Sequence, residues 1–444
     1  MYFTSLVLEN VRAFGDRQEL LLTDQSGALA QWTLIIGENG VGKTTLLQCL
    51  AKMRPVASER PNTSKANEPT EQCVGPAFSD ETNNETFDAL ARDGKDVKLY
   101  LKANLSLGKS LDGKSKKKGR AIFTSLTVGR KLGDVETIVP DGTFLNDFKD
   151  VLVIGYGASR RMGHSNSSQI AFTASVTSLF DSTLELVDAE QILRDLDYSK
   201  LKKAKGAAKL FKRIKEALAT ILPDIDDPEN IKIYPPRTLG LKGKNGVYAK
   251  TPYGEVPFSS LSLGYQTVSA WTIDIAWRMF QQYPDSLNPL SEPAIVLVDE
   301  IDLHLHPKWQ RQIRKELSRH FPNIQFIATA HSPLMAQTYL DANLAVIRRE
   351  ENQAVIINEP TVIQDWRLDQ IVTSELFGLS ARSPKVEEKM QRRVDLIRKA
   401  NKTPKQKREL AALDRELEGL PSEEKQEDND ALNIIRRAAE ILQK

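Results

Sequence analysis

The residues best suited to chemistry stand in one run, Gly37-Glu38-Asn39-Gly40-Val41-Gly42-Lys43-Thr44. Glycines at this spacing let backbone N–H groups close around phosphate oxygens that a bulkier side chain would block. A helix that starts at the lysine aims its partial positive charge at the same anion. Lys43 then reaches the β- and γ-phosphates, and the Thr44 hydroxyl is a ligand for Mg²⁺. Asn39 and Thr45 complete the set assigned to the nucleotide. The chemistry expected of this run is binding of ATP or GTP. A second run, Ile295-Val296-Leu297-Val298-Asp299-Glu300, brings two carboxylates to the end of an apolar stretch. Asp299 is placed to hold Mg²⁺, directly or through water, and Glu300 to orient and polarise an attacking water. An apolar strand ending in Asp-Glu is unremarkable by itself. It gains meaning beside the first run and two more, Leu261-Ser262-Leu263-Gly264-Tyr265-Gln266 and Ala330-His331-Ser332.

These runs need elements to hold them. The apolar residues Trp32 to Ile36 read as a strand into the glycine run, with a helix from Lys43 to about Met53. Residues 4–22 read as two strands joined by a turn at Phe14-Gly15-Asp16. Residues 54–96, poor in large apolar side chains, read mostly as surface loop. Strand patterning resumes at 97–107, 121–128, 135–139 and 151–154, helical patterning at 186–222, and strands at 231–234 and 247–256. A long helix follows Leu263, then a strand at 294–298, a helix at 309–320 and a strand at 324–328. Strands alternating with helices imply an α/β core. The charged stretch 385–444 reads as helical, broken at Pro404 and Pro421, with no heptad run long enough for a coiled-coil arm.

Composition sets outer limits. The 61 basic and 59 acidic residues leave a net charge of +2, so no global charge demands nucleic acid. The lysine-rich turn at 114–120 and the pair Arg160-Arg161 remain local candidates for DNA or phosphate contact. Two cysteines, Cys49 and Cys73, make no disulfide framework and suit a reducing cytosol. No signal-peptide-like opening and no apolar run of membrane-spanning length occur. The expected location is the cytoplasm, without a membrane partner. His304 and His306 invite a zinc reading, but no carboxylate or cysteine with ligand spacing accompanies them.

Leu-Ser-x-Gly-x-Gln resembles the signature motif of ABC ATPases, and His331 matches their switch histidine. The resemblance implies that two nucleotide domains sandwich two ATP molecules, with Ser262 and the Gly264 backbone binding a γ-phosphate in trans. It places Asp302 at the D-loop aspartate and His331 against the γ-phosphate and attacking water. More than two hundred residues separate Lys43 from Ser262, room for an inserted lobe that transporter subunits lack. Leu8-Glu9-Asn10-Val11-Arg12-Ala13-Phe14 resembles the opening hairpin of the RecF and SMC branch, with Val11 where that branch has an aromatic residue. It implies that Arg12 approaches a phosphate. The stretch Asp299 to Pro307 resembles stand-alone ATPases of the overcoming-lysogenization-defect group. The Toprim nuclease of that group is not recognisable after residue 340, since Glu427-Asp428-Asn429-Asp430 lies in a polar run.

Tyr156 to Arg161, Trp366 to Ile371, Phe377 to Leu379, Arg382 to Pro384 and the charged tail are similar to the PtuA ATPases of Septu anti-phage systems and related retrons. That resemblance implies a partner HNH nuclease of the PtuB kind and homodimers or higher homo-oligomers. The fold it implies is an ABC ATPase head with a mixed sheet around the P-loop, an antiparallel β subdomain, an inserted helical lobe and a helical tail. The expected divisions are 1–53, the first part of the ATPase domain; 54–150, a loop-rich and β insertion; 151–230, the helical lobe; 231–384, the rest of the ATPase domain; and 385–444, the tail. Two other readings stay open: a RecF-like repair ATPase that acts on DNA without a nuclease, and a scaffold in which ATP is structural.

Overall fold

The computed structural model describes residues 1–24, 26–60, 71–77, 90, 92, 98–108, 111, 119–131, 134–143, 148, 150–159, 175–222, 225, 227–235, 244–338, 342–358, 383–398 and 403–417. Two compact units emerge, Met1–Ile371 and Val372–Lys444. In the first, β1 (Tyr2–Glu9) and β2 (Gln18–Leu21) form the expected antiparallel hairpin. The strand β3 (Trp32–Gly37) enters the glycine run, and α1 (Lys43–Lys52) leaves it. β4 (Pro55–Arg60) and β5 (Glu71–Pro76) pair as an antiparallel ribbon. Within 54–96, expected to be mostly surface loop, Pro55–Arg60 and Glu71–Pro76 are therefore strands, a pairing that polar composition hid. β6 (Lys98–Leu107), β7 (Arg120–Lys131) and β8 (Asp134–Gly142) extend the first hairpin into a five-stranded antiparallel sheet of order β2-β1-β6-β7-β8.

After β9 (Val153–Tyr156) come α2 (Ala189–Leu201) and α3 (Ala207–Ile221), then an antiparallel trio β10 (Ile231–Tyr234), β11 (Gly246–Thr251) and β12 (Gly254–Pro257). The long helix α4 (Leu263–Gln282) leads to β13 (Ala294–Val298), α5 (Pro307–His320), β14 (Ile324–Ala330) and α6 (Pro333–Thr338). β15 (Asn343–Glu350) and β16 (Gln353–Asn358), not anticipated from sequence, complete a six-stranded mixed sheet of order β16-β15-β3-β14-β13-β9. Its strands from β15 to β9 are parallel and β16 alone is antiparallel.

Seven of the ten residues of α1 are buried. Leu46, Leu47 and Leu50 share one cluster with Phe3, Leu6 and Leu101 of the antiparallel sheet and Ile295, Leu297 and Ile327 of the mixed sheet. On the mixed sheet Trp32 stacks on Phe326 at 4.2 Å, and its indole N–H donates to Ser318 of α5 at 2.7 Å. In the second unit α7 (Pro384–Arg398) and α8 (Pro404–Leu417) face each other through ion pairs of Arg392 with Glu409 and Arg393 with Asp414. Among the described residues no helix is long and apolar enough to cross a membrane.

Candidate functional site

The carboxyl ends of the parallel strands meet along one edge of the mixed sheet, where open α/β sheets place their ligands. There β3 runs into the glycine run, β13 into Asp299-Glu300, β14 into His331 and β9 into Gly157-Ala158-Ser159. Because β14 lies between β3 and β13, it sets His331 between the phosphate loop and the two carboxylates. Sheet order therefore assembles residues that are almost 300 positions apart in sequence.

At the phosphate loop Gly42 has φ 99°, and a Cβ there would lie 2.7 Å from the Phe14 ring. Only glycine meets both demands. Lys43 is buried, and its Nζ donates to the carbonyl oxygens of Gly37 at 2.8 Å and Glu38 at 2.7 Å. His331 Nδ1 stands 3.4 Å from the same ammonium. Burial pushes the Lys43 pKa below its ordinary value, while Asp299, Glu300, Asp302 and Glu38 pull it back up. Gly40 also takes the left-handed region, at φ 79°, and Asn39 is exposed on the loop. Beside α1, Arg12 Nη1 donates to Gln48 Oε1 at 3.1 Å and to the buried Thr45 hydroxyl at 3.4 Å. The α1 thiol of Cys49 is fully buried, which raises its pKa to about 12 despite the nearby Arg12 charge.

Thr44 Oγ1 donates to Asp299 Oδ2 at 2.8 Å, and Thr329 Oγ1 donates to Asp299 Oδ1 at 2.6 Å. The same Thr329 oxygen accepts the Glu300 N–H at 2.7 Å. Thr329 therefore ties both acidic residues to β14. Glu300 needs that tie because its φ of 49° is a left-handed conformation, costly for a residue with a Cβ. Its Oε1 lies 3.7 Å from His331 Nε2. Asp302 Oδ2 accepts the N–H groups of His331 at 3.0 Å and Ser332 at 2.7 Å, which pins the histidine loop within its own chain. Replacing Thr329 with Val keeps the shape and removes both bonds. Thr329→Val is expected to cost about 1–3 kcal/mol in a urea titration, the price of unpaired buried groups, and to slow ATP turnover. Wild-type values for both would show that β14 does not brace the carboxylates.

Thr44 and Asp299 converge as hard oxygen donors, the kind Mg²⁺ prefers. They fit a cation that would exchange their mutual hydrogen bond for two ligand contacts. With Gly157, Ser159, Leu263, Thr267 and His304 they line a cleft of about 530 Å³. The signature segment starts α4. Ser262 is exposed and makes no side-chain cap bond, and Leu263 is 48% exposed. Gly264 is buried, and a Cβ there would lie 2.4 Å from the His304 carbonyl oxygen. Glycine lets α4 sit directly on the turn that follows Glu300. The Gln266 side chain donates to the Ser259 and Leu261 carbonyls, closing the turn before the helix.

His306 caps α5 by accepting the Lys308 N–H at 3.3 Å, and His304 is exposed. Among the described residues no group of three or more His, Cys, Asp or Glu is arranged to hold a metal. Arg160 and Arg161, lysines 114–118, residues 366–382 and Glu427 to Asp430 lie outside the described residues. Sequence reading missed Thr329, a hydroxyl inside an apolar strand with no local signal. It also missed a buried triad behind β9, where Asp274 Oδ2 accepts the Tyr156 hydroxyl at 2.6 Å and Arg278 Nε at 2.8 Å.

Residues 5–226, half of the chain, match the family described as an AAA domain. The chain belongs to the AAA-domain family. Residues 250–336 of this AAA-domain protein match a second description, AAA domain, putative AbiEii toxin, Type IV TA system. It is 26% identical to the Septu protein PtuA of Bacillus mycoides (strain KBAB4), over 86% of this chain and 46% of that one. It is 42% identical to the Retron Vc95 probable ATPase of Vibrio cholerae serotype O1 biovar El Tor, over 31% of this chain and 25% of that one. The chain thus spans less than half the length of these curated relatives. Among solved structures, the SMC head domain from Thermotoga maritima covers 81% of this chain and 100% of its own, at TM-score 0.42 and 13% identity. The similarity to PtuA thus runs along most of this AAA-domain chain.

Proposed function

We propose that two copies of this chain close around two ATP molecules, and that hydrolysis sets the activity of a partner HNH nuclease in anti-phage defence. The observation that carries the reading is the convergence of Lys43, Thr44, Asp299, Glu300 and His331 on one edge of the mixed sheet. The relatives named Septu PtuA and retron ATPase point to the defence setting.

In this reading Lys43 leaves the Gly37 and Glu38 carbonyls for the β- and γ-phosphates, a charge-assisted exchange. Thr44 and Asp299 would hold Mg²⁺, which when bound neutralises charge on the phosphate oxygens. Glu300 orients a water in line with the γ-phosphorus and draws on its proton as the new P–O bond forms. The bond to the β-phosphate oxygen breaks and ADP leaves with the electron pair. His331, between Lys43 and Glu300, donates to a γ-phosphate oxygen or to the water. Arg12, beside Thr45, reaches a phosphate or the ribose side of the loop.

The exposed, uncapped start of α4 supports the two-copy arrangement. Its first-turn N–H groups and the Ser262 hydroxyl are free to meet the γ-phosphate held by another copy. Asp302, while it holds the histidine loop, sits where the second copy would pass. Ser262→Arg is expected to abolish the ATP-dependent dimer in light scattering and to leave fluorescent-ATP binding by the monomer unchanged. Equal loss of both would refute the trans role.

The nuclease part is tested by co-expressing the chain with its neighbouring reading frame and assaying DNA cleavage with and without ATP. A stable complex whose cleavage changes with ATP supports it. A chain that hydrolyses ATP but co-purifies with no nuclease refutes it.

A further inference from the structure

The chain's net charge is only +2, yet seven of the 16 residues from Tyr198 to Arg213 are lysine or arginine and none is acidic. Folding concentrates that excess further. Residues 202–206, which join α2 to α3, are all exposed. α3 buries Leu210, Phe211, Ile214 and Leu218, so Lys209, Lys212 and Arg213, spaced by three and four, share its solvent face. Gly206 starts α3 at φ 81° without a side-chain cap, and no acidic residue occupies the first turn. The partial positive charge of that helix end therefore adds to the same face.

Little neutralises these cations. Lys200 stands 3.8 Å from Asp197, and Lys212 and Arg213 share one carboxylate, Glu216, at 3.8 and 3.7 Å. Lys209 donates to the Leu287 carbonyl, and Lys202 lies over the Tyr198 ring at 5.5 Å. Lys203 and Lys205 have no carboxylate partner among the described residues. The face continues onto α5, where Thr220 meets His320 Nε2 at 2.5 Å. Burial, then the charge of Arg319, holds His320 below its ordinary pKa, with Arg213 adding and Glu216 opposing. Arg213 and Arg319 thus bear on a single point.

We propose that this face of the α2–α3 hairpin is a docking surface for the phosphate backbone of duplex DNA. A straight helix lined with under-neutralised cations matches a rigid rod that carries about one charge per 1.7 Å, and binding releases condensed counterions. Single-strand binding draws on open aromatic faces for base stacking. On this surface the exposed aromatic is Tyr198, 61% exposed, with Lys202 across its ring. The assignment stands apart from control of a nuclease and from the ATP site.

Anisotropy of a fluorescein-labelled short duplex, titrated with the full chain from about 50 to 200 mM salt, reads the number of phosphate contacts. The variant Lys203→Gln, Lys205→Gln, Lys212→Gln is expected to bind more weakly, with the slope of log affinity against log salt shallower by about 2–3. Its nucleotide binding and melting temperature should match wild type, which separates this result from misfolding. An unchanged slope would overturn the proposal, as would wild-type protein that ignores duplex or prefers a single strand of the same length. Loss of the slope only in Lys116→Gln, Lys117→Gln, Lys118→Gln would overturn it too, moving the contact to the segment between β6 and β7.

Discussion

Glu300→Gln is expected to slow ATP hydrolysis by about 10²- to 10⁴-fold, the range of a lost general base, while ATP binding survives. The variant keeps the side chain's size and its place beside His331, 3.7 Å away. It also keeps the backbone bond that holds Glu300 at positive φ, because Thr329 takes the N–H and not the carboxylate. What it loses is the negative charge that draws on the water's proton. Removing a charge beside bound triphosphate also relieves repulsion, so ATP should be held at least as tightly and dimers should accumulate. Single-turnover hydrolysis and fluorescent-ATP titration read the two effects separately. Turnover within experimental error of wild type would take Glu300 out of catalysis.

Asp274→Ala is the largest expected change in stability. Asp274 is 1% exposed, and its Oδ2 takes both the Tyr156 hydroxyl and Arg278 Nε. The pair itself need not favour folding much, since desolvation offsets much of the attraction. Deleting one member is another matter. Alanine would strand a guanidinium whose side chain is only 18% exposed, together with a buried phenol, at a cost of about 3–5 kcal/mol. Asp274→Asn, which keeps an acceptor for Tyr156, should cost less. The effect reaches the proposed ATP site through chain continuity: Tyr156 ends β9, and the next residues, Gly157 to Ser159, line the cleft beside Thr44 and Asp299. Urea titration gives the stability, and ATP turnover of the Asn variant shows whether the cleft wall has loosened. An alanine variant as stable as wild type would mean that Arg278 finds another partner.

The local parts of the candidate site were legible in sequence, because glycine spacing around Lys43 and carboxylates at the end of an apolar strand are short-range patterns. The core elements followed from the same periodicity, from the opening hairpin to β14. Sheet order was not legible. That β14 lies between β3 and β13 depends on contacts between residues hundreds of positions apart, and only this order gives Thr329 its two partners. The Tyr156–Asp274–Arg278 triad was hidden for the same reason, since an acid inside an apolar helix reads as an interruption until its partners are seen. β15 and β16 went unread because their apolar run carries no motif, and the β4–β5 ribbon because its composition is that of a loop. The basic α2–α3 hairpin was visible as helical patterning with many lysines, but its one-sidedness appears only when the apolar face of α3 is buried.

The contact between Lys43 and the carbonyls of Gly37 and Glu38 bears on how the site meets its ligand. The lysine assigned to triphosphate in the proposed reading clips the loop to itself, so these bonds help fix the loop's path as the chain folds. Ordering a backbone residue costs about 1–2 kcal/mol in entropy. Here that cost belongs to folding rather than to association. In the proposed reading nucleotide then has only to trade places with two carbonyl oxygens, which would leave more of its intrinsic binding energy for bringing a second copy into contact.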